Sequence, residues 1–442
     1  MKQKPELDLL IVGAEPAGFA AAACAARAGA SVALARGGEK KGRAGSTPGV
    51  PDFVWRKLNL QDAGLDAQPV AARVSLFDDG KTVATYMSGR KSEESLKKSG
   101  GADYHLWAEF SEHLERLWRE GEEIARSSAS GRSRGKAPLL SALSGKAGPD
   151  AARRLTASTA GLLEDYFSDD RLRTHLASVA LSPFGLGGDE PGSALALASL
   201  SEPAAWRVRN GGKGKGLADV LEEAARAAGV EIIDSRLREI SMERRSRVVS
   251  FENGDTVRVR RIMASSVEAA ARAGLYIAPS FSPLARREGA VADVLLKFQK
   301  APPALEAGKN AVYYVADSLD AIADARDAAL EGRLVDRMPI SFEFNRDEIL
   351  VHAPYCPSCL KTENEVREWS EQDRQALGMQ IVQRLEPYLN GATKQIKRID
   401  IRVTQAAPAP GDAPEKSVAA PPPGHDPIGA AAKLALELVS GE

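Results

Sequence analysis

A short apolar run, Leu9 to Val12, ends on the hexapeptide Gly13-Ala14-Glu15-Pro16-Ala17-Gly18 and passes directly into an alanine-rich segment from Phe19 to about Ala28. Gly29 is a natural C-cap for that helix. Ser31 to Ala35 then reads as a second strand. The spacing predicts a βαβ unit of the dinucleotide-binding kind, which commits the start of the chain to an α/β sheet.

The turn has a physical logic of its own. Gly13 permits the tight bend, and Gly18 lets the helix pack closely on the strand. The position between them should be glycine, so that backbone can approach a pyrophosphate, and here it is Glu15. A carboxylate about 4 Å from a phosphate is opposed by about 4 kcal/mol at a near-surface dielectric. A second departure follows the second strand, where an acidic residue would bind a ribose hydroxyl. The sequence there is Ala35-Arg36-Gly37-Gly38, and Arg36 is suited to face a phosphate instead.

The chain has 442 residues, enough for two or three domains or one large core with insertions. Its 59 Lys and Arg against 60 Asp and Glu exclude the strongly basic footprint of a nucleic-acid binder. Three cysteines are too few for a disulfide scaffold and fit a reducing compartment, so a cytoplasmic protein is expected. The longest apolar stretch, FAAAACAA, is cut by Arg27, and no transmembrane or signal segment is expected.

Further along, Leu106, Phe110, Leu114, Leu117 and Ile124 fall at helical spacing, followed by a polar Gly/Ser/Arg loop from Ser127 to Pro138. Ala160 to Tyr166 and Leu172 to Leu181 read as helices, so this region resembles a helical insertion. Trp206 to Leu275 returns to an α/β pattern. The glycine-dense stretch Asn210 to Gly216 precedes an amphipathic helix, Leu217 to Ala228, and the strand VEII. Asn253-Gly254 joins two strands as a hairpin. Ala292 to Gln299, Ala311 to Val315 and Ile340 to Val351 alternate as strands of a second, antiparallel sheet, and Glu371 to Tyr388 is a long helix. Residues 405 to 424 hold six prolines and read as a linker before an apolar helix from Ile428 to Val439, which is expected to pack on the Rossmann-like unit.

Taken in order, LLEDYFSDDRLRTHLAS, RNGGKGKGLADVLEEAARAAGVEI, NGDTVRVRRIMAS, VADSLDAIADARDAALEG, and HAPY followed by EWSEQDRQALGMQIVQRLEPYL resemble the FAD-dependent phytoene-dehydrogenase-like oxidoreductases. The likeness is greatest to the branch called pyridine nucleotide-disulfide oxidoreductase domain-containing protein 2, and spans most of residues 7 to 405. The resemblance implies an α/β fold with a FAD-binding Rossmann-like domain built from discontinuous segments (1–60, 205–275 and 400–442). It also implies a substrate domain (61–204 and 276–399) with a mixed or antiparallel sheet, helices and the helical insertion. By the same resemblance the pyrophosphate of FAD would lie at Gly13, Glu15, Pro16, Ala17 and Gly18, and the ribose at Ala35 and Arg36. The adenine would meet backbone near Leu237, and the flavin ring would lie near Gly211 and Gly212. The family's C-terminal flavin segment is shortened here, with Pro421 to Gly424 where glycines would bring backbone N–H groups to the cofactor.

Cys356-Pro357-Ser358-Cys359, with His352 upstream, is the only close thiol pair and has no second cluster to complete a zinc site. It is read as loop thiols after a strand, with a redox or intermolecular role as the alternative, and Cys24 as packed against the sheet. The five histidines lack metal-ligand spacing, so no metal is expected, and no acid–base pair is nominated. Lys213 and Lys215 are read as solvated loop residues. The expectation is a FAD-dependent oxidoreductase acting on an apolar or amphipathic small molecule. The alternative is a flavin-free pseudoenzyme of the same fold serving as a binding or partner subunit. Use of NADP(H) at Arg36 is a third reading.

Overall fold

The computed structural model describes residues 6–36, 49–86, 88–99, 103–117, 153, 156–201, 205–208, 216–243, 246–266, 269–270, 273–277, 289–362, 365–405, 417–418 and 427–440. In chain order the strands of the two main sheets are β1 (Leu7–Val12), β2 (Val32–Ala35), β3 (Ala72–Leu76), β4 (Thr82–Tyr86), β5 (Glu231–Ile233), β6 (Leu237–Glu243), β7 (Ser246–Phe251), β8 (Thr256–Ala264), β9 (Ala290–Phe298), β10 (Ala311–Val315), β11 (Ile340–Asn345), β12 (Glu348–Cys356) and β13 (Ile396–Gln405). The helices that matter for the site are α1 (Pro16–Arg27), α2 (Asp170–Leu181), α3 (Leu217–Ala227), α4 (Leu319–Leu330), α5 (Glu371–Leu385) and α6 (Pro427–Ser440).

The first sheet runs β5-β2-β1-β8-β7-β6. Its strands β5, β2, β1 and the second half of β8 are parallel, whereas β6, β7 and the first half of β8 form an antiparallel meander. A strand buried on both faces must be apolar throughout. Leu9, Leu10, Ile11 and Val12 meet that demand, each 1% exposed or less. Helix α1 is buried from Ala17 through Cys24 to Ala25, all the way round its circumference. A helix apolar on every side needs partners on every side. The sheet supplies one, and Leu217, Val220, Leu221 and Ala225 of α3 supply another. Ile428, Ala431, Ala432 and Ala435 of α6 supply a third, so the helix nearest the C-terminal end packs into the core of the first βαβ unit.

The second sheet runs β13-β9-β12-β11-β10-β3-β4 and is antiparallel except where β10 pairs with β3. Strand β9 alternates strictly: Ala290, Ala292, Val294, Leu296 and Phe298 are buried, while Val291, Asp293, Leu295 and Lys297 are only half-buried. One face therefore packs against Leu377, Ile381 and Leu385 of α5. At Gly378 the fit is close enough that a Cβ would stand 2.6 Å from Ile401 Cδ1. The segment Ile340 to Val351, read from sequence as one strand, is a hairpin of β11 and β12 that turns at Arg346, a non-glycine residue with φ +57°.

At the β3–β4 end the other face of the sheet is covered by α2. His175 of α2 is fully buried, with Nδ1 2.8 Å from Ser75 Oγ and Nε2 3.0 Å from Thr85 Oγ1. Burial, with Arg73 nearby, pushes its pKa down from the usual 6.5 to about 3. A histidine held neutral in the fold stabilises it fully above pH 6.5, and that contribution is lost as the pH falls from 6.5 toward about 3. We expect urea unfolding to show the wild type losing on the order of 2 kcal/mol between pH 7.5 and pH 5 through this group. A His175→Gln variant will be weaker at pH 7.5 and will show a shallower decline; an unchanged slope would refute the assignment.

Candidate functional site

Both glycines of the first turn are fixed by packing. Gly13 has φ +113°, and a Cβ there would lie 2.1 Å from Ser265 Oγ. A Cβ on Gly18 would lie 2.0 Å from the carbonyl oxygen of Gly13. Glu15 between them has φ −87° and ψ 168°, an extended conformation open to any residue. It is the N-cap of α1 but makes no side-chain capping bond, and Pro16 begins the helix. The Glu15 carboxylate instead accepts a hydrogen bond from Ser265 Oγ at 2.7 Å, which tethers it beside the end of β8. The first N–H groups of α1 are therefore left uncapped by Glu15, at the positive end of the helix dipole. Ala17 is buried beneath them.

Ala35 ends β2 with no exposed surface. The next residue, Arg36, donates its backbone N–H to Ile233 O at 3.0 Å, and its side chain crosses to α3. There the guanidinium pairs with Glu222, which also takes Arg226 at 2.9 Å, and Arg36 lies 6.0 Å from the centre of the Phe19 ring. Arg36 Nε is buried without a hydrogen-bond partner, and Asp234 Oδ1 lies 4.0 Å from it. Leu237, the first residue of β6, packs on the apolar cluster that contains Val12, Ala35 and Ile233. The structure thus brings Gly13, Glu15, Pro16, Ala17, Gly18, Ala35, Arg36 and Leu237 to the ends of β1, β2 and β8. Gly211 and Gly212, with Lys213 and Lys215, lie outside the described residues, as do Pro421 to Gly424 and the loop from Ser127 to Pro138.

Two participants were not singled out from sequence, Ser265 and Glu222. Each meets its partner across a long stretch of chain, and nothing in the local pattern marks either one.

A cavity of about 400 Å³ lies over the open face of the second sheet, against Val208 and Arg207 of the strand Ala205–Val208 and Gln68 and Pro69 of the strand Ala67–Pro69. Leu295 and Leu350 give it an apolar floor, and charged side chains line its margin. The thiols lie elsewhere. Cys356 is fully buried at the end of β12 and directs Sγ toward Ala353 O at 3.7 Å, and Cys359 is half-buried beyond it. Burial pushes the Cys24 thiol up to about 11. His352 pairs with Asp293 at 3.0 Å, and among the described residues no group of three or more His, Cys, Asp or Glu side chains could hold a metal ion. Nor is any helix among them long and apolar enough to cross a membrane.

No protein-family model and no curated protein matches the chain. Solved structures do. A putrescine oxidase carrying a redesigned cofactor site is similar over 99% of this chain and 98% of its own, with 14% identity and a TM-score of 0.53. The cyclohexylamine oxidase of Brevibacterium oxydans covers 99% of both chains at 14% identity and a TM-score of 0.52. A RAB GDI from Plasmodium falciparum reaches 0.55 at 8% identity, over 99% of this chain and 98% of its own.

The closeness of the turn is directly testable. Gly18→Ala should destabilise the protein by about 2–3 kcal/mol, because the added methyl meets backbone that cannot move aside. Denaturant unfolding measures it, and a variant as stable as the wild type would show that the turn is looser than described. The chain has the fold of the flavin-dependent amine oxidases: a Rossmann-like parallel sheet joined to a mixed substrate-domain sheet.

Proposed function

We propose that the protein is a FAD-dependent oxidoreductase acting on an amphipathic small molecule seated in the cavity over the second sheet. One observation carries this reading. At the ends of β1 and β2 the start of α1 has no side-chain cap, and Arg36 Nε is buried without a hydrogen-bond partner. Unsatisfied buried donors are costly and call for an acceptor. A diphosphate at the helix N-terminus, with a polar adenosine group near Arg36, provides one on each side. Gly13 to Gly18 would hold the pyrophosphate, and Arg36, Ala35 and Leu237 the adenosine end. The residues present fit the group, with Glu15 as the opposing charge. Its carboxylate is held by Ser265 Oγ at 2.7 Å.

When bound, the flavin supplies hydride acceptance. The chain's own part is to place the substrate and keep water away. Leu295 and Leu350 exclude solvent from the floor of the cavity, and the charged margin orients whatever lies on it.

A specific observation favours the flavin-free alternative as the second reading. Ala35 offers no acceptor to a ribose hydroxyl, and the Arg36 guanidinium is already engaged by Glu222. One titration separates the two readings. Protein purified under mild conditions and mixed with FAD, then gel-filtered, is expected to keep the flavin's visible absorbance. Glu15→Gly should bind FAD at least tenfold more tightly, since relief of about 1.4 kcal/mol of repulsion already gives that factor. Wild type and Glu15→Gly that both remain colourless would overturn the oxidoreductase reading in favour of a binding or partner subunit. Binding of NADPH but not FAD would assign Arg36 to a 2′-phosphate.

A further inference from the structure

We infer that His352, positioned by Asp293, is the proton acceptor of the cavity. The inference rests on the reading of that cavity as the substrate site and goes beyond it in naming the group that takes the substrate's proton.

Strand register sets the two residues side by side. Asp293 of β9 stands directly opposite His352 of β12, and the imidazole Nδ1 lies 3.0 Å from Asp293 Oδ1. A carboxylate only accepts hydrogen bonds, so Nδ1 carries the proton and donates it. In the neutral ring that leaves the lone pair on Nε2. Nε2 has no hydrogen-bond partner among the described residues and is not sealed from solvent, in a side chain 31% exposed. His175, over the same face of the sheet, is the contrast: it is fully buried, and hydroxyls take both its nitrogens.

The neighbours of the pair suit a base. The row across the open face reads Tyr314, Ser341, His352, Asp293 and Arg402, one residue each from β10, β11, β12, β9 and β13. Arg402 stands on the far side of Asp293, so the carboxylate lies between a cation and the imidazole. Ser341, on the other side of the ring, is small and leaves room beside it. Along β12, Leu350 precedes His352 by two residues on the same face, about 7 Å away. Leu350 and Asp293 both line the cavity, and His352 stands one row beyond its floor, so a molecule lying along that floor extends to Nε2.

The step this geometry supports is removal of a proton from a polarised O–H or N–H of the bound molecule. The heteroatom–hydrogen bond breaks, its electron pair stays on the oxygen or nitrogen, and a new N–H bond forms at Nε2. The ring then carries a positive charge beside the Asp293 carboxylate, which favours the charged product.

Two measurements on the purified protein, neither needing flavin or a known substrate, test this. The first is heteronuclear NMR of protein labelled at its histidine ring nitrogens, with the His352 signals assigned by their loss in His352→Gln. Wild type should show the neutral ring as the Nδ1–H tautomer, and Asp293→Ala should move it to the Nε2–H tautomer that histidine prefers in water. The second is cleavage of p-nitrophenyl acetate, which reports a free imidazole lone pair. Nε2 bonds to the acyl carbon, the ester C–O bond breaks with release of p-nitrophenolate, and water then hydrolyses the acyl-imidazole. Wild type should release p-nitrophenolate roughly tenfold faster than His352→Gln and several-fold faster than Asp293→Ala. Both side chains are part exposed, so the variants should fold, and thermal unfolding checks it. A pair that only fastens β9 to β12 would lower the unfolding midpoint of the variants and leave ester cleavage unchanged, which would overturn the inference. So would a wild-type ring found as the Nε2–H tautomer. Flavin uptake is read separately by absorbance: the expected tautomer and cleavage without flavin uptake would keep the base and discard the oxidoreductase reading, and flavin uptake with either measurement failing would discard the base alone.

Discussion

The Rossmann-like half of the molecule depends on how closely α1 approaches β1. Alanine at position after position along α1, with Gly18 over the Gly13 carbonyl, removes the side chains that would hold helix and strand apart. Close approach has two effects that follow from one cause. It buries the helix on every side, which recruits α3 and α6 into the core. It also aims the first turn of α1 at the space above the ends of β1 and β2, where charge at the helix terminus acts on whatever lies there. The same backbone that makes the core makes the site.

The second sheet works by division of its faces. Along β9 every alternate side chain is committed to the α5 core, which leaves the others free to be polar. Toward β3 and β4 the free face is closed by α2, with His175 satisfied by two hydroxyls. Toward β9, β12 and β13 it remains open and becomes the cavity. One strand pattern thus provides both a packed layer and the floor of a cavity, and the charges on that floor are ordered by cross-strand register.

Much of this was legible in the sequence wherever the cause is local. Gly13, Gly18, the alanine helix and Asn253-Gly254 each act on residues a few positions away, and their elements appear where the pattern places them. Strand β6 was not legible as a strand, because Leu237 to Glu243 is an edge segment with mostly exposed side chains and carries no apolar alternation. Strands β3, β4 and β13 were missed as well, which hid the width of the second sheet. In the candidate site, Glu15, Ala35 and Arg36 could be named from spacing, but not what they touch. The Arg36–Glu222 pair joins residues 186 positions apart, and the Glu15–Ser265 bond joins residues 250 apart. The cavity is the extreme case: Arg207, Lys309 and Arg402 come from three distant segments and share a wall only after the sheet has formed.

The position of α6 has a consequence for the order of assembly. The alanine face of α1 emerges early in synthesis, yet one of the surfaces that covers it is supplied about four hundred residues later. Until then the first βαβ unit carries an apolar helix with a side open to water, too small-featured to collapse firmly on itself. Its closure is an encounter between two ends of the sequence, slow because the loop to be closed is long. The surroundings of the turn at the start of α1 are therefore completed last, although its residues are made first.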